Sequence, residues 1–471
     1  MTSLYEELKK YSESGIYPCH MPGHKRKDFG YFPAGFSSVD FTEAEGLDDL
    51  HDPSGIILDA QKKAASVLGA DETFFLINGS TAGILAAVSA CTGKGGRIIL
   101  VRNCHRSAYN AIYLRDLVPS YIWPETVEGL SIADAAGTDE VRAALDAAPD
   151  AQAVLIVSPT YEGRLADIAG IAEAVHERGI PLIVDEAHGA HLSFAEGSPF
   201  DAIRNGADIA IQSVHKTLPA PTQTSVLSVK GDLVDREKLR RFLSIYQSSS
   251  PSYPFMAMID GCIGYMAENA GLVPSLCDNF EKLLNRLEVC DKLIFRPSVT
   301  ELKEGRADYG KLLICSGSSG LNGVQIAGIL RKKYGIETEM ACPGFVLAMF
   351  TVCDDTDGFD RVAEAIIDLD GSLEAHGADT ADEDLTNGYP KVSGIMNLSD
   401  AIDSEKEDIP LERSAGRICG SLISMYPPGT PILVPGEEIS EDARDFILNC
   451  ISEGLNIKGI GDGRISVVKN G

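Results

Sequence analysis

The chain has 471 residues, of which 44% are hydrophobic and 23% are charged. This length and composition are typical of a globular protein of two or three domains and exclude a disordered chain. The net charge of −28 argues against general nucleic-acid binding and would suit a cationic small substrate.

No apolar run reaches the roughly 18 residues that a membrane span needs, so we expect none. The N-terminus lacks the basic and then apolar pattern of a secretory signal. The 11 cysteines include no C-x-x-C pair, and several lie among apolar or small residues. We therefore expect buried, reduced thiols in a cytoplasmic protein and no zinc site.

Short apolar runs alternate with helical patterns through the first part of the chain. Residues 1–45, rich in Pro and Gly, are predicted to be an irregular N-terminal segment. Residues 46–290 are predicted to form a large α/β domain with a mostly parallel sheet, and 230–290 to be largely helical. The predicted strands of that domain are 74–77, 98–101, 153–157, 181–184, 207–211 and 225–229.

The pattern changes near residue 291. Strand–helix–strand units, with strands at 311–314 and 346–352, predict a small α+β domain over 291–377. The acidic stretch 378–384 is typical of a solvated linker. Residues 378–471 are predicted to form a C-terminal subdomain.

Two motifs that could bind a cofactor follow predicted strands. Gly79, Ser80 and Thr81 begin a helix after the strand 74–77, and the free N–H groups of a helix start bind phosphate. A plain capped helix explains that motif alone equally well. His105 follows the strand 98–101, where it could lie flat on an aromatic cofactor or assist proton transfer. A lone His is more often structural.

Two charged residues follow other predicted strands of the same domain. Asp185 ends an apolar strand, and a buried carboxylate there needs a cationic partner such as a protonated pyridine nitrogen. Capping of a turn is the simpler explanation of that aspartate. Lys216 follows the strand 207–211, and desolvation can make such a lysine a nucleophile toward an aldehyde. A lone loop lysine is usually a surface charge, but the four motifs together predict a pyridoxal phosphate (PLP) enzyme.

In these motifs the chain resembles the fold-type I PLP-dependent ornithine/lysine/arginine decarboxylases. The resemblance implies an aspartate aminotransferase-like large domain followed by a smaller C-terminal α+β region. The matching motifs follow one another along most of the chain, at 20–25, 78–81, 103–110, 158–163, 184–191, 213–217, 249–253, 409–412 and 426–429.

The resemblance also implies a role for each site residue. Lys216 would form a Schiff base with the cofactor, Asp185 would pair with the pyridine nitrogen and His105 would stack on the ring. His188 would lie close to the phenolic oxygen, and these four are the predicted catalytic residues. The residues predicted to bind the cofactor are Gly79, Ser80, Thr81, His105, Asp185, Ala187, His188, Ser213, His215 and Lys216.

The implied reaction is decarboxylation of arginine, lysine or ornithine to agmatine, cadaverine or putrescine, with arginine or lysine favoured. Such amines serve polyamine biosynthesis. The resemblance implies a cytoplasmic homodimer with its active site at the subunit interface, where Ser249 or Ser250 could reach a neighbour's phosphate. Because the Pro-Gly-His-Lys motif begins at Pro22, we expect the shorter branch that lacks the N-terminal wing domain.

A cationic substrate also needs a carboxylate for its distal charge, and the sequence does not choose among six candidates. These are Glu43, Glu45, Asp48, Asp49, Glu412 and Glu437.

Several other functions remain open. Another PLP reaction, such as transamination or elimination, is possible on the same scaffold. A nucleoside triphosphatase is disfavoured because no G-x-x-x-x-G-K-[ST] loop exists. A metal hydrolase using Asp185, His188 and His191 lacks a defined further ligand. The presence of both Lys216 and Asp185 argues against a non-catalytic PLP-fold protein.

Overall fold

A computed structural model describes most of the chain. The described residues are 3–27, 29–31, 33–127, 130, 132–195, 200–374, 390–426 and 429–469. The predicted linker 378–384 and two residues of the 426–429 motif, Pro427 and Pro428, lie outside them.

The chain folds into two compact units. The first comprises Met1–Gly93, Gln152–Ser158 and Asp167–Pro274, and the second comprises Lys94–Ala151, Pro159–Ala166 and Ser275–Gly471. The predicted boundaries at 45/46, 290/291 and 377/378 remain predictions.

The strands are β1 Glu72–Leu76, β2 Arg97–Val101, β3 Val118–Ile122, β4 Ala151–Val157, β5 Leu182–Asp185, β6 Ile209–Gln212, β7 Ser225–Val229, β8 Ile294–Arg296, β9 Lys311–Cys315, β10 Met340–Ala341, β11 Phe345–Met349, β12 Lys406–Pro410, β13 Ile423–Met425, β14 Thr430–Leu433, β15 Ile457–Lys458, β16 Ile460–Gly461 and β17 Arg464–Val468.

The α-helices are α1 Leu4–Ser12, α2 Ile56–Leu68, α3 Gly79–Cys91, α4 Arg106–Arg115, α5 Thr138–Ala147, α6 Ile168–His176, α7 Val214–Thr217, α8 Arg236–Tyr246, α9 Tyr253–Glu268, α10 Leu272–Leu287, α11 Val299–Lys303, α12 Gly323–Tyr334, α13 Thr356–Ser372, α14 Leu398–Asp403 and α15 Glu441–Ser452. Short 3-10 helices cover Phe36–Ser38, Ala190–Phe194 and Leu411–Arg413.

The sheet of the first unit has the strand order β1–β7–β6–β5–β4. β6, β5 and β4 pair in parallel, and β7 pairs antiparallel with both β1 and β6. β1 therefore runs in the same direction as β4, β5 and β6, and the predicted mostly parallel sheet is confirmed. β5, β6 and β7 are buried throughout their length, which explains their continuous apolar sequences.

Helix α3 packs closely on this sheet at Gly83. A Cβ atom at that position would lie 2.6 Å from Leu76 Cδ1 on β1 and 3.0 Å from Ile211 Cγ2 on β6. Both neighbours are fully buried, so they have little room to move. A glycine here allows α3 to approach the sheet closely, with its first turn beside the edge where β1 and β6 end.

Residues 1–45 are not wholly irregular, since α1 covers Leu4–Ser12. Ser3 and Glu6 form a capping box at the start of this helix, and Leu4 and Leu8 are buried. The Leu4 N–H donates to the buried Asp260 carboxylate of α9 at 2.8 Å. The irregular prediction was therefore wrong over α1, and the S-x-x-E pattern at 3–6 was the signal that would have identified the helix.

The second unit contains both parallel and antiparallel strand pairs. β2 and β3 pair in parallel, and β10–β11–β9–β8 form an antiparallel sheet. Two three-stranded sheets, β12–β17–β16 and β14–β13–β15, lie in the C-terminal region of residues 390–469. The predicted smaller α+β region is confirmed, whereas β3 was not predicted because Pro119 and Ser120 interrupt its apolar pattern.

No helix among the described residues has both the length and the apolar character needed to cross a lipid bilayer.

Candidate active site

Three strands of the first unit end at one edge of its sheet. Gly79 follows β1, Ser213 follows β6 and Asp185 is the last residue of β5. Because β1, β5 and β6 run in the same direction, these residues lie at the same edge, where ligands bind in α/β sheets. Gly79 has φ +72°, a conformation that favours glycine.

Three serine hydroxyls meet at this edge. Ser80 Oγ lies 2.7 Å from Ser213 Oγ and donates to Ser225 Oγ at 3.2 Å. Ser225 is the first residue of β7, which runs in the opposite direction and therefore begins where its neighbours end. Ser225 was not predicted as a site residue, because the direction of β7 is not visible in its apolar pattern.

The first turn of α3 is suited to bind an anion. Its N-cap residue, Asn78, makes no side-chain hydrogen bond to the helix, and its Oδ1 atom instead accepts the Ser248 N–H at 3.0 Å. Thr81 is exposed in the same turn. The N–H groups and the dipole of a 13-residue helix attract a phosphate group, and the serine hydroxyls add donors.

Lys216 and His188 are in direct contact beside this edge. Lys216 lies in α7, just after Ser213, and its Nζ atom is 3.0 Å from His188 Nε2. A charged lysine amine can only donate, and in that state it would donate to His188 Nε2. The structure thus brings together two of the predicted catalytic residues.

Asp185 is a buried carboxylate that suits a cationic partner. Its side chain accepts the Ala187 N–H at 3.2 Å, and the residue is 4% exposed. Burial raises the pKa of Asp185, whereas the Lys216 cation and the Ala187 N–H act to lower that pKa. A second cation at this carboxylate would favour its ionised form. Ala187 contributes its backbone N–H to the site.

His215 is next to Lys216 in α7. Its Nδ1 atom donates to the Thr224 carbonyl oxygen at 2.8 Å. Burial lowers the pKa of His215, and the Lys216 charge acts in the same direction against the Thr224 hydrogen bond. The imidazole is therefore neutral near pH 7 and contributes no charge to the phosphate site.

A buried polar network joins the ends of β5 and β6. Glu186 accepts the Ala202 N–H at 3.0 Å and the Gln212 side-chain amide at 2.6 Å. The same amide donates to Ser193 Oγ at 2.8 Å. Glu186 follows Asp185 and Gln212 precedes Ser213, so this network joins the two segments that carry the site. Neither Glu186 nor Gln212 was predicted from the sequence as a residue that supports the site.

His105 lies in the second unit, whereas the other predicted cofactor-binding residues lie in the first. It is the exposed N-cap residue of α4, and its Nδ1 atom is 2.8 Å from Ser107 Oγ. Its place against the cofactor ring stays a prediction.

Two of the six candidate carboxylates already have several partners. Asp48 accepts five backbone N–H groups, including those of Gly55 and Ile57 at the start of α2. Glu437 is buried and lies 2.8 Å from an Arg102 nitrogen. Asp49 accepts the His51 N–H. The three that are exposed are Glu43, Glu45 and Glu412.

Within the described parts of the chain, His, Cys, Asp and Glu side chains form no group of three placed to hold a metal ion. Of the residues in the metal-hydrolase alternative, His188 contacts Lys216 through its Nε2 atom.

The residues at this edge fit PLP. The first turn of α3 and the serine hydroxyls suit the phosphate, the Lys216 amine suits the aldehyde and the buried Asp185 carboxylate suits the ring nitrogen. This combination of groups carries the assignment, since each alone has a simpler explanation.

Comparison with known proteins agrees with this chemistry. The family model described as Orn/Lys/Arg decarboxylase, major domain, matches residues 2–294, and that of the Orn/Lys/Arg decarboxylase, C-terminal domain, matches 391–452. The arginine decarboxylase of Bacillus subtilis (strain 168) is 34% identical over 99% of this chain and 97% of its own length. The constitutive lysine decarboxylase of Escherichia coli (strain K12) is 24% identical over 90% of this chain and 71% of its own length.

Solved structures share the fold. Lysine decarboxylase A from Pseudomonas aeruginosa superposes with a TM-score of 0.84 at 20% identity, over 100% of this chain and 80% of that chain. Since the sequence identity is low, this likeness supports the fold assignment alone.

The hydrogen bonds of Asp48 lead to a prediction about stability. Partial burial acts to raise the pKa of Asp48, but the backbone N–H groups outweigh it and hold the pKa below its ordinary value of 3.8. Asp48→Asn should therefore lower the free energy of unfolding by about 1 kcal/mol at neutral pH, because the amide nitrogen cannot accept the N–H groups that one carboxylate oxygen accepts. Because the pKa is lower in the folded state, this difference should shrink as the pH falls below about 4.

Urea unfolding of both proteins across this pH range measures the effect. Asp52→Asn, which changes an exposed neighbour, is the matched control and should leave the stability unchanged. Equal stability of wild type and Asp48→Asn at pH 7 would contradict the capping role.

Proposed function

This chain belongs to the Orn/Lys/Arg decarboxylase family, and we propose that its substrate is arginine, which it converts to agmatine and CO2. It is a PLP-dependent enzyme that decarboxylates a basic amino acid. The choice of arginine rests on sequence identity. Over nearly the full chain, this protein is more similar to an arginine decarboxylase than to a lysine decarboxylase.

PLP, when bound, supplies an electron sink for the electron pair that is released when the bond between Cα and the carboxylate breaks. We propose that Lys216 holds the cofactor aldehyde through Nζ and that Asp185 pairs with the ring nitrogen. Gly79, Ser80, Thr81 and Ser213 would hold the phosphate, with the neutral His215 beside it. The convergence of three hydroxyls at an uncapped helix start supports the phosphate assignment.

Lys216 and His188 have the geometry to share a proton. Their nitrogen atoms, Lys216 Nζ and His188 Nε2, are 3.0 Å apart, which is hydrogen-bond distance. A lysine that gives a proton to this histidine becomes a nucleophile, and the same contact can return the proton. We therefore assign His188 to proton transfer at Lys216 Nζ.

Asp185 sets the charge opposite the ring nitrogen. Its burial makes an unpaired negative charge unfavourable, so a cation that meets this carboxylate gains a strong interaction. Burial also excludes water from the pair, which strengthens the interaction. We propose that this carboxylate keeps the ring nitrogen protonated and so maintains the electron sink.

The substrate carries a positive charge that the protein can attract and bind. A net charge of −28 favours approach of a cationic amino acid. Asp48 and Glu437 already bind groups of this chain, so they do not suit the guanidinium of the substrate. Glu43, Glu45, Asp49 and Glu412 remain candidates. We further propose, from the family resemblance, that His105 stacks on the cofactor ring.

The substrate proposal is tested by CO2 release from arginine, lysine and ornithine with the PLP-loaded protein. A site that binds the guanidinium through several hydrogen bonds should give arginine at least about a tenfold advantage in kcat/KM. Equal or higher kcat/KM for lysine or ornithine would contradict arginine as the substrate. Formation of a keto acid without CO2 would instead favour a transaminase.

The roles of Lys216 and Asp185 predict different defects. Lys216→Ala should abolish the cofactor–protein adduct that borohydride reduction traps and should lower kcat by at least about 10³. Asp185→Asn should keep the adduct but lower kcat by about 10² or more, because the charge opposite the ring nitrogen is lost.

Mass spectrometry of the reduced protein locates the adduct, and the assay above measures kcat. The control is Lys62→Ala, which changes an exposed lysine on α2 and should alter neither quantity. An adduct that persists in Lys216→Ala, or full activity in Asp185→Asn, would rule out the assigned role.

We also propose that the protein is a cytoplasmic homodimer whose active site lies at the subunit interface. No two of the 11 cysteines pair in a disulfide, which fits a reducing compartment. Tyr17 and Tyr31 are large side chains exposed at 77% and 76%, and exposed apolar surface is typical of interfaces. Ser249 and Ser250 are exposed next to Ser248, which contacts Asn78 at the phosphate site.

Light scattering during gel filtration should give a mass of two chains. Replacing Tyr17 and Tyr31 together by Asp should shift the mass toward one chain, because two charges would enter an apolar contact. The Asp52→Asn protein serves as control. A wild-type mass of one chain at micromolar concentration would contradict the dimer.

A further inference from the structure

A buried ion pair in the second unit joins two segments that are far apart in sequence. Arg102 directly follows β2 and is 3% exposed, as is Glu437. An Arg102 Nη2 atom lies 2.8 Å from Glu437 Oε2 and donates to the Ile432 carbonyl oxygen at 3.1 Å. Glu437 also accepts the Val434 N–H at 2.8 Å. The guanidinium is therefore bound by the C-terminal region of residues 390–469.

Aromatic rings enclose the same guanidinium. The Arg102 Cζ atom lies 5.8 Å from the ring centre of Tyr109, 5.0 Å from that of Tyr121 and 5.2 Å from that of Trp123. These distances are typical of cation–π interactions. Trp123 is the single tryptophan of the chain, so its fluorescence reports on this cluster.

The cluster also holds the connection between β2 and α4. The Tyr109 hydroxyl, one turn into α4, donates to the Arg102 carbonyl oxygen at 2.7 Å, and the Arg102 N–H donates to the Ile122 carbonyl oxygen at 2.8 Å. Only Asn103 and Cys104 separate Arg102 from His105, the N-cap residue of α4. Fixing Arg102 therefore fixes a short connection that ends at His105.

We propose that Arg102 and Glu437 are positioning residues for the decarboxylation, through which the C-terminal region holds His105 in its working position. This inference rests on the proposed function, because that function assigns His105 to the cofactor ring. It gives the C-terminal region a role in the reaction and gives Glu437 a partner other than the substrate.

The physical reason is the cost of an unpaired buried charge. When Glu437 loses its charge, Arg102 keeps a positive charge that water cannot easily reach, and the guanidinium must move or draw water inward. Either change disturbs the three residues before α4. A displacement of about 1 Å at a group that touches the reacting centre can lower a rate about 10²-fold.

Glu437→Gln tests the proposal with a neutral side chain of nearly the same shape. In the PLP-loaded enzyme we expect kcat for arginine to fall about tenfold or more, while KM changes less than about threefold, because the substrate's distal group is bound elsewhere. Trp123 emission should shift to longer wavelength and become easier to quench with acrylamide. The values of kcat and KM and the Trp123 emission report a displaced cluster. The midpoint of thermal unfolding reports separately whether folded protein is lost.

Glu407→Gln is the matched control. Glu407 also pairs with an arginine in the C-terminal region, since its Oε1 atom is 2.7 Å from Arg417 Nη2, but this glutamate is exposed. Its loss should change neither kcat nor Trp123 emission. If Glu437→Gln fails to fold, Arg102→Lys takes its place, because it keeps the charge while losing the planar guanidinium.

The His105→Ala background decides whether the ion pair acts through His105. We expect His105→Ala alone to lower kcat and Glu437→Gln to add little in that background. Two outcomes would overturn only the role of the ion pair. In the first, the losses of kcat in the two single variants multiply in the double variant. In the second, Glu437→Gln keeps its kcat while His105→Ala is impaired. An unchanged kcat in His105→Ala would reject the assignment of His105 itself, and with it this inference.

Discussion

The pairing of β7 between β1 and β6 is the constraint on which the site depends. Two successive antiparallel pairings give β1 and β6 the same direction, so both end at the edge where β5 also ends. The groups that follow these strands then meet although they are separated by more than 100 residues in the chain. The chemistry of the site is therefore a consequence of strand direction.

Burial then gives these groups their properties. At the end of β5, Asp185 has lost the water that would otherwise stabilise its charge, so a cation there is strongly favoured. At the next residue, the Glu186 carboxylate accepts a hydrogen bond from the Gln212 side-chain amide, and both side chains are buried. A buried network with satisfied donors and acceptors is rigid, and rigid support is what a site needs to hold charges in fixed positions.

Local pattern predicted most strands of the first unit and the candidate residues that follow them. Apolar runs located β2, β4, β5, β6 and β7 to within about two residues, because buried strands have few polar positions. The same pattern singled out two candidates, since Asp185 directly follows the predicted strand 181–184 and Lys216 lies five residues after the predicted strand 207–211. What it missed depends on partners distant in sequence, as for Ser225. Glu437 illustrates the limit most clearly, because the residue that neutralises it lies 335 positions away.

Gly83 has a consequence for how variants of this protein are interpreted. The missing side chain sets the spacing between α3 and the strands beneath it. A larger residue would push the helix away from the sheet, and its first turn, which we propose to bind the cofactor phosphate, would move with it. Such a variant would bind its cofactor poorly although every residue proposed to bind the cofactor is intact. In a mutational scan, substitutions of Gly83 would then have the same effect as substitutions of a cofactor-binding residue, although Gly83 lies inside the helix.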